Sequence, residues 1–121
     1  IFPVAAPAYA RGLKLVGDDF HAATLLRDDF HSWERWPGAA GATPSGPVYS
    51  DSALLLQAAE AGHGVALGRS VLVADAIRSG ALVRLGTRAI AVPGAYYLVS
   101  ARDVADTPAV AAFRAWLATA T

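Results

Sequence analysis

The sequence predicts an α/β fold built on a mostly parallel sheet flanked by helices, on three observations. Short apolar runs alternate with segments of helical spacing, the joins between them are brief, and the one long stretch of Gly, Pro, Ser and Thr spans residues 38–47. Composition permits a packed core, because 55% of the 121 residues are hydrophobic, 17% are charged and the mean hydropathy is positive. A chain of this size hides roughly two thirds of its unfolded surface, enough for one domain without covalent staples.

Ile1 to Val4 is an apolar run that predicts a strand. Pro7 then opens a short helix that Gly12 ends. The acidic pair Asp18-Asp19 predicts the start of a one- or two-turn helix reaching Ala23, and Thr24 to Arg27 a second strand. Trp33 and Trp36, spaced i and i+3, share one face of a helix that Pro37 and Gly38 cut short. Beyond the loop, Val48 to Ser50 predicts a strand, and Ala53 to Ala61 a small-residue helix that stops at Gly62. His63 to Leu67 is a buried strand. Ser70 caps a helix with Val73, Ala76 and Ile77 on one face, and Gly80 closes it. Leu82 to Leu85, Ile90 to Val92 and Tyr96 to Ala101 are expected as strands. Thr107-Pro108 starts a final helix with Val110, Phe113 and Leu117 at i, i+3 and i+7.

Several chemistries are excluded at this level. There is no Cys, so disulfides, thiolate metal sites and Cys nucleophiles are impossible, a usage that suits a reducing compartment. Ten Lys and Arg balance ten Asp and Glu, leaving no basic field for nucleic acid. No apolar stretch is long enough to span a bilayer and no signal peptide opens the chain, so a soluble, cytoplasmic protein without membrane contact is expected. His21, His31 and His63 lack the spacings that put two ligands on one face, which makes them surface or loop residues and predicts no metal and no cofactor. Gly62-His63-Gly64 lacks the third glycine of a dinucleotide fingerprint, and no nucleophile elbow or phosphate loop occurs. Nothing points to an enzyme. The Tyr49-Ser50-Asp51-Ser52-Ala53 junction is different, because two hydroxyls and free amides at a helix N-terminus form a ready anion site. A plain N-cap explains the same residues, and Asp51 would repel an anion unless it paired with a cationic group or turned back to cap the helix.

The segments Val48-Tyr49-Ser50-Asp51-Ser52, Gln57 to Arg69 with its Gly-x-Gly-Val-Ala-Leu-Gly run, and Gly80-Ala81-Leu82-Val83-Arg84 resemble the effector-binding domain of LysR-type transcriptional regulators. Phe2-Pro3-Val4, Thr24 to Asp28, Ala95 to Val99 and Ala112 to Leu117 agree, so the resemblance covers the whole chain, and the similar branch is that of glycine-cleavage and β-lactamase regulators. It departs from the pattern at Trp36-Pro37 and at Asp18-Asp19-Phe20. The resemblance implies a fold like the type II periplasmic binding proteins, a mixed sheet flanked by helices, with a small and anionic effector held between two subdomains. Residues 1–85 would be the second effector-binding subdomain and residues 86–121 the C-terminal return to the first. The N-terminal DNA-binding domain would lie outside this chain, which opens Ile1-Phe2-Pro3-Val4 and holds no Met, as expected of a fragment or processed product. By the same resemblance Ser50, Asp51 and Ser52 form the pocket wall, Tyr96 is a pocket tyrosine, and Asp28 and His63 stand at the rim. The implied partners are a small-molecule effector, DNA through the missing domain only, and further copies of the chain in a homodimer or tetramer. A transporter's solute-binding protein shares the fold and is the alternative.

Overall fold

The computed structural model describes residues 1–13, 19–20, 22–37 and 46–120. In chain order the elements are β1 (Phe2–Ala5), α1 (Pro7–Gly12), β2 (Arg27–Asp28), a 3-10 turn (Trp33–Arg35), β3 (Val48–Tyr49), α2 (Ser52–Glu60), β4 (Ala66–Gly68), α3 (Ser70–Ser79), β5 (Val83–Arg84) and α4 (Pro108–Ala120). β1 lies between β4 and β5 and is antiparallel to both, with Val4 opposite Ala66 on one side and Arg84 on the other. β2 and β3 pair in parallel, Arg27 opposite Val48. A parallel bridge between Leu25 and Val65 joins these two pieces, held by Leu26 N–H to Val65 O at 2.9 Å and Val65 N–H to Thr24 O at 2.9 Å. The sheet order is therefore β3-β2-β4-β1-β5. It is mixed, as expected, and only β1 runs against the rest.

Both faces of this sheet are covered, which is why its strands read as unbroken apolar runs rather than as alternating ones. Side chains still alternate with the pleat. Ile1, Ala5, Leu25, Val65 and Leu67 point to one side, where they pack with Phe20, Trp33, Trp36 and Leu85. Phe2, Val4, Leu26 and Ala66 point to the other, against Leu55, Ala58 and Ala59 of α2, Val73 of α3 and Leu82. The two tryptophans do share a face as their spacing predicts, though in a single 3-10 turn, and the Phe20 ring sits 5.7 Å from Trp33 and 6.3 Å from Trp36. Trp33 Nε1 donates to Leu26 O at 2.9 Å, so its buried donor is satisfied.

Three expectations for local structure change. The helix anticipated from Asp18 to Ala23 is not formed at Asp19, Phe20, Ala22 or Ala23, while Asp18 and His21 lie outside the described residues, as does most of the 38–47 loop. Ile90 to Val92 is not a strand, although Ile90 exchanges both backbone hydrogen bonds with Ile1, at 2.7 and 2.9 Å, as one antiparallel pair does. Tyr96 to Ala101 is likewise no strand. A strand exists only through its neighbours, and among the described residues none pairs with this segment.

Candidate functional site

The site follows from strand direction. Because β2, β3 and β4 are parallel neighbours, their carboxyl ends emerge at one edge of the sheet, the place where open α/β sheets bind ligands. Asp28 ends β2, Ser50 to Ser52 follow β3, and Arg69 follows β4. Each is aimed by local backbone chemistry. Asp28 Oδ1 accepts from the amides of Phe30 at 3.0 Å and His31 at 2.8 Å, which folds that turn back over the sheet edge. Asp51 is the N-cap of α2, its Oδ1 accepting from Ala53 N–H at 2.6 Å. Gly68 lets α3 approach β4, since a Cβ there would meet Val73 Cγ1 at 2.5 Å, and so Arg69 is delivered at the head of α3 beside the start of α2.

At this edge lies an open cavity of about 320 Å³ lined by Phe30, His31, Ser52, Arg69, Leu72 and Tyr96. The Arg69 guanidinium lies over the Tyr96 ring, 5.3 Å from its centroid. Ser52 Oγ donates to Asp28 Oδ2 at 3.3 Å, so the carboxylate stands directly behind the serine. A second cavity of about 270 Å³, lined by Asp28, Asp29, Ser32 and Glu34 among others, adjoins the first through His31. Burial pushes the His31 imidazole below its usual value of 6.5; Asp28 opposes that shift and Arg69 adds to it. His31 is accordingly neutral near pH 7 and accepts or donates without adding charge.

Of the residues singled out in the sequence, Ser52 and Tyr96 line the first cavity and Asp28 backs it. Asp51 turns back to cap its helix, one of the two roles open to it, and Ser50 is exposed at the end of β3. His63 is elsewhere. It is exposed three residues past the far end of the nine-residue α2, beyond about 13 Å of helix from Ser52, because it follows the C-terminus of the helix whose N-terminus faces the cavity. Sequence reasoning missed Arg69, Phe30, His31 and Leu72. A signal existed for Arg69, since Gly68-Arg69-Ser70 is a strand-to-helix junction of the same kind as Tyr49 to Ser52.

A mixed sheet with helices on its faces and a cavity of mixed polar and apolar lining at the carboxyl ends of parallel strands defines the class: the periplasmic-binding-protein-like effector-binding fold. The model of the LysR substrate binding domain matches residues 1–121, and the chain belongs to that family. It is 33% identical over 124 residues to the glycine cleavage system transcriptional activator of Escherichia coli K12, covering 97% of this chain and 41% of that protein. It is 35% identical over 88 residues to the HTH-type transcriptional activator AmpR of Providencia stuartii, covering 70% of this chain and 30% of that one. Among solved structures, the effector domain of AmpR from Pseudomonas aeruginosa superimposes with a TM-score of 0.65 at 28% identity, over 98% of this chain and 59% of that one. The chain thus spans about two fifths of the length of the E. coli activator. Both curated relatives are transcriptional activators.

Proposed function

We propose that this chain is the effector-sensing part of a bacterial LysR-type transcriptional regulator, binding a small, anionic metabolite in the cavity of Ser52, Arg69 and Tyr96 and so modulating transcription. In this reading residues 1–85 form the second effector-binding subdomain, residues 86–121 return to the first, and the cavity is one wall of the cleft between them. The observation that carries it is the convergence of a helix-start serine, a guanidinium and a tyrosine at the carboxyl ends of parallel strands. The exposed Tyr97, Leu98, Val99, Phe113 and Trp116 support it further, as an apolar surface suited to packing against more of the same fold. DNA would be read by an N-terminal domain outside this chain, which fits a net charge of zero here. The whole protein would act in the cytoplasm, as a homodimer or tetramer, without catalysis; among the described residues no helix is long and apolar enough to cross a membrane.

Ser52→Ala tests the site. A hydrogen bond to a charged group is worth about 1.5–3 kcal/mol, so the complete regulator should bind its effector roughly ten- to a hundredfold more weakly. Folding stability should hardly change, since the 3.3 Å bond to Asp28 is all the hydroxyl donates. Calorimetry of the variant showing unchanged affinity would remove Ser52 from the site.

A further inference from the structure

Of the six residues that line the larger cavity, three are held by one carboxylate that is not among them. Asp28 Oδ1 accepts from the backbone amides of Phe30 at 3.0 Å and His31 at 2.8 Å, and Oδ2 accepts from the Ser52 hydroxyl at 3.3 Å. The bond to Ser52 spans 24 residues and ties the end of β2 to the first turn of α2. Packing does not hold the turn instead. Phe30 is 63% exposed and belongs to neither apolar cluster, and His31 is half-buried where the two cavities adjoin. A turn without an apolar anchor is ordered by its hydrogen bonds, which must offset the backbone entropy that ordering costs. The other three lining residues, Arg69, Leu72 and Tyr96, come from the head of α3 and from the segment after Gly94, and they make no hydrogen bond to Asp28.

On the reading that this cavity takes a small anion, we propose that Asp28 is its positioning residue, setting the places of Phe30, His31 and Ser52 without itself touching the occupant. The site uses Asp28 as a fixed acceptor with both oxygens engaged, and its negative charge does nothing to attract an anion. The charge falls instead on His31. Burial holds that imidazole below its usual value; Asp28 opposes the shift, while Arg69, the N-terminal ammonium of Ile1 and Arg35 add to it. These groups face the imidazole from the end of β2, the head of α3, the start of β1 and the 3-10 turn, and Asp29 and Glu34 share the second cavity with it. Protonation of His31 puts a second positive group on the wall that Arg69 already lines, so anion binding strengthens as pH falls through the range of the imidazole.

The test is calorimetry of the complete natural polypeptide with sodium sulfate, whose charge is constant over the range in which His31 titrates. Heat that Arg69→Leu abolishes is counted as binding at the cavity. Asp28→Asn and Asp28→Ala both lack the charge and differ in the tethers. The Asn carbonyl accepts from the Phe30 and His31 amides as before and its NH2 donates to Ser52 Oγ, whereas Ala does neither. Asp28→Asn should bind sulfate at least as tightly as the wild type. Asp28→Ala should bind about tenfold more weakly than Asp28→Asn, the scale of ordering freed side chains on binding. In Asp28→Asn the rise in affinity should also come at lower pH than in the wild type, because the carboxylate that opposes burial is gone; a role in folding alone would leave that profile in place. Equal affinity of the two variants would overturn the positioning role and leave the effector site standing. Weaker binding by Asp28→Asn than by the wild type, or an unmoved pH profile, would do the same, and these two readings decide even where Asp28→Ala does not fold. A wild type without Arg69-dependent sulfate binding would bring down the cavity reading and the role of Asp28 with it.

Discussion

At Gly64 the missing side chain decides whether the sheet holds together. A Cβ there would collide with the Thr24 carbonyl oxygen and sit 3.2 Å from the Leu26 side chain, at the bridge that joins the β2–β3 and β4–β1–β5 pieces. Gly64→Ala must therefore push apart buried backbone, and it should lower stability by about 1–3 kcal/mol in urea unfolding. Gly12→Ala is the control, since its added methyl meets nothing within 4 Å; equal losses at both positions would refute the close-approach account. The same glycine looked in the sequence like part of a failed nucleotide fingerprint, and its purpose could not be read there, because Thr24 is remote in sequence. His31 makes a second residue-scale case. Its folded-state pKa is depressed, first by burial, so the unfolded chain binds the proton more readily than the folded one. The stability it contributes is full above the unfolded value near 6.5 and is lost as pH falls below it. His31→Gln should flatten the fall in urea midpoint between roughly pH 7 and 5.5; an unchanged slope would show that the imidazole is not the titrating group.

The helices show what an element's pattern does and does not reveal. α2 reads in sequence as apolar around more than one side, with Leu54, Leu55 and Leu56 in succession. The structure sorts them: Leu55 is 2% exposed in the cluster with Val4 and Leu82, Leu56 is half-buried, and Leu54 is 50% exposed on the outer side. Leu55 therefore cannot belong to a subunit interface and Leu54 can. Leu55→Asp should unfold the protein by burying an unpaired charge. Leu54→Asp should keep native circular dichroism and, if α2 contributes to the proposed dimer, shift the mass by light scattering towards the monomer. An undiminished dimer would move the interface off this helix. β1, α2, β4 and α3 were legible because their apolar periodicity and end signals are local properties. The Tyr96 segment was misread as a strand for the converse reason: β-branched and aromatic residues license a strand only where another strand accepts it. The pairing of Arg69 with Tyr96 was equally invisible, since no spacing joins positions so far apart.

Across the whole molecule, the sheet order brings together what the chain keeps separate. Asp28, Ser52, Arg69 and Tyr96 come from four segments and meet because β2, β3 and β4 point the same way. The final helix contributes differently. α4 is exposed along nearly its whole length, with only Leu117 half-buried, and its ties run to its own approach segment through Arg114 to Asp106 at 3.0 Å and to Ser100 at 3.4 Å. Its Phe113 and Trp116 rings, together with Tyr97 and Val99, form an exposed apolar surface that the remainder of the proposed first subdomain would cover. The central claim, that the cavity between α2 and α3 holds a small-molecule effector, is tested most directly by native mass spectrometry of the complete protein purified from its own host. The account predicts an added small-molecule mass on the wild type that disappears in Ser52→Ala and in Arg69→Leu. A bound mass that both variants retain would contradict it.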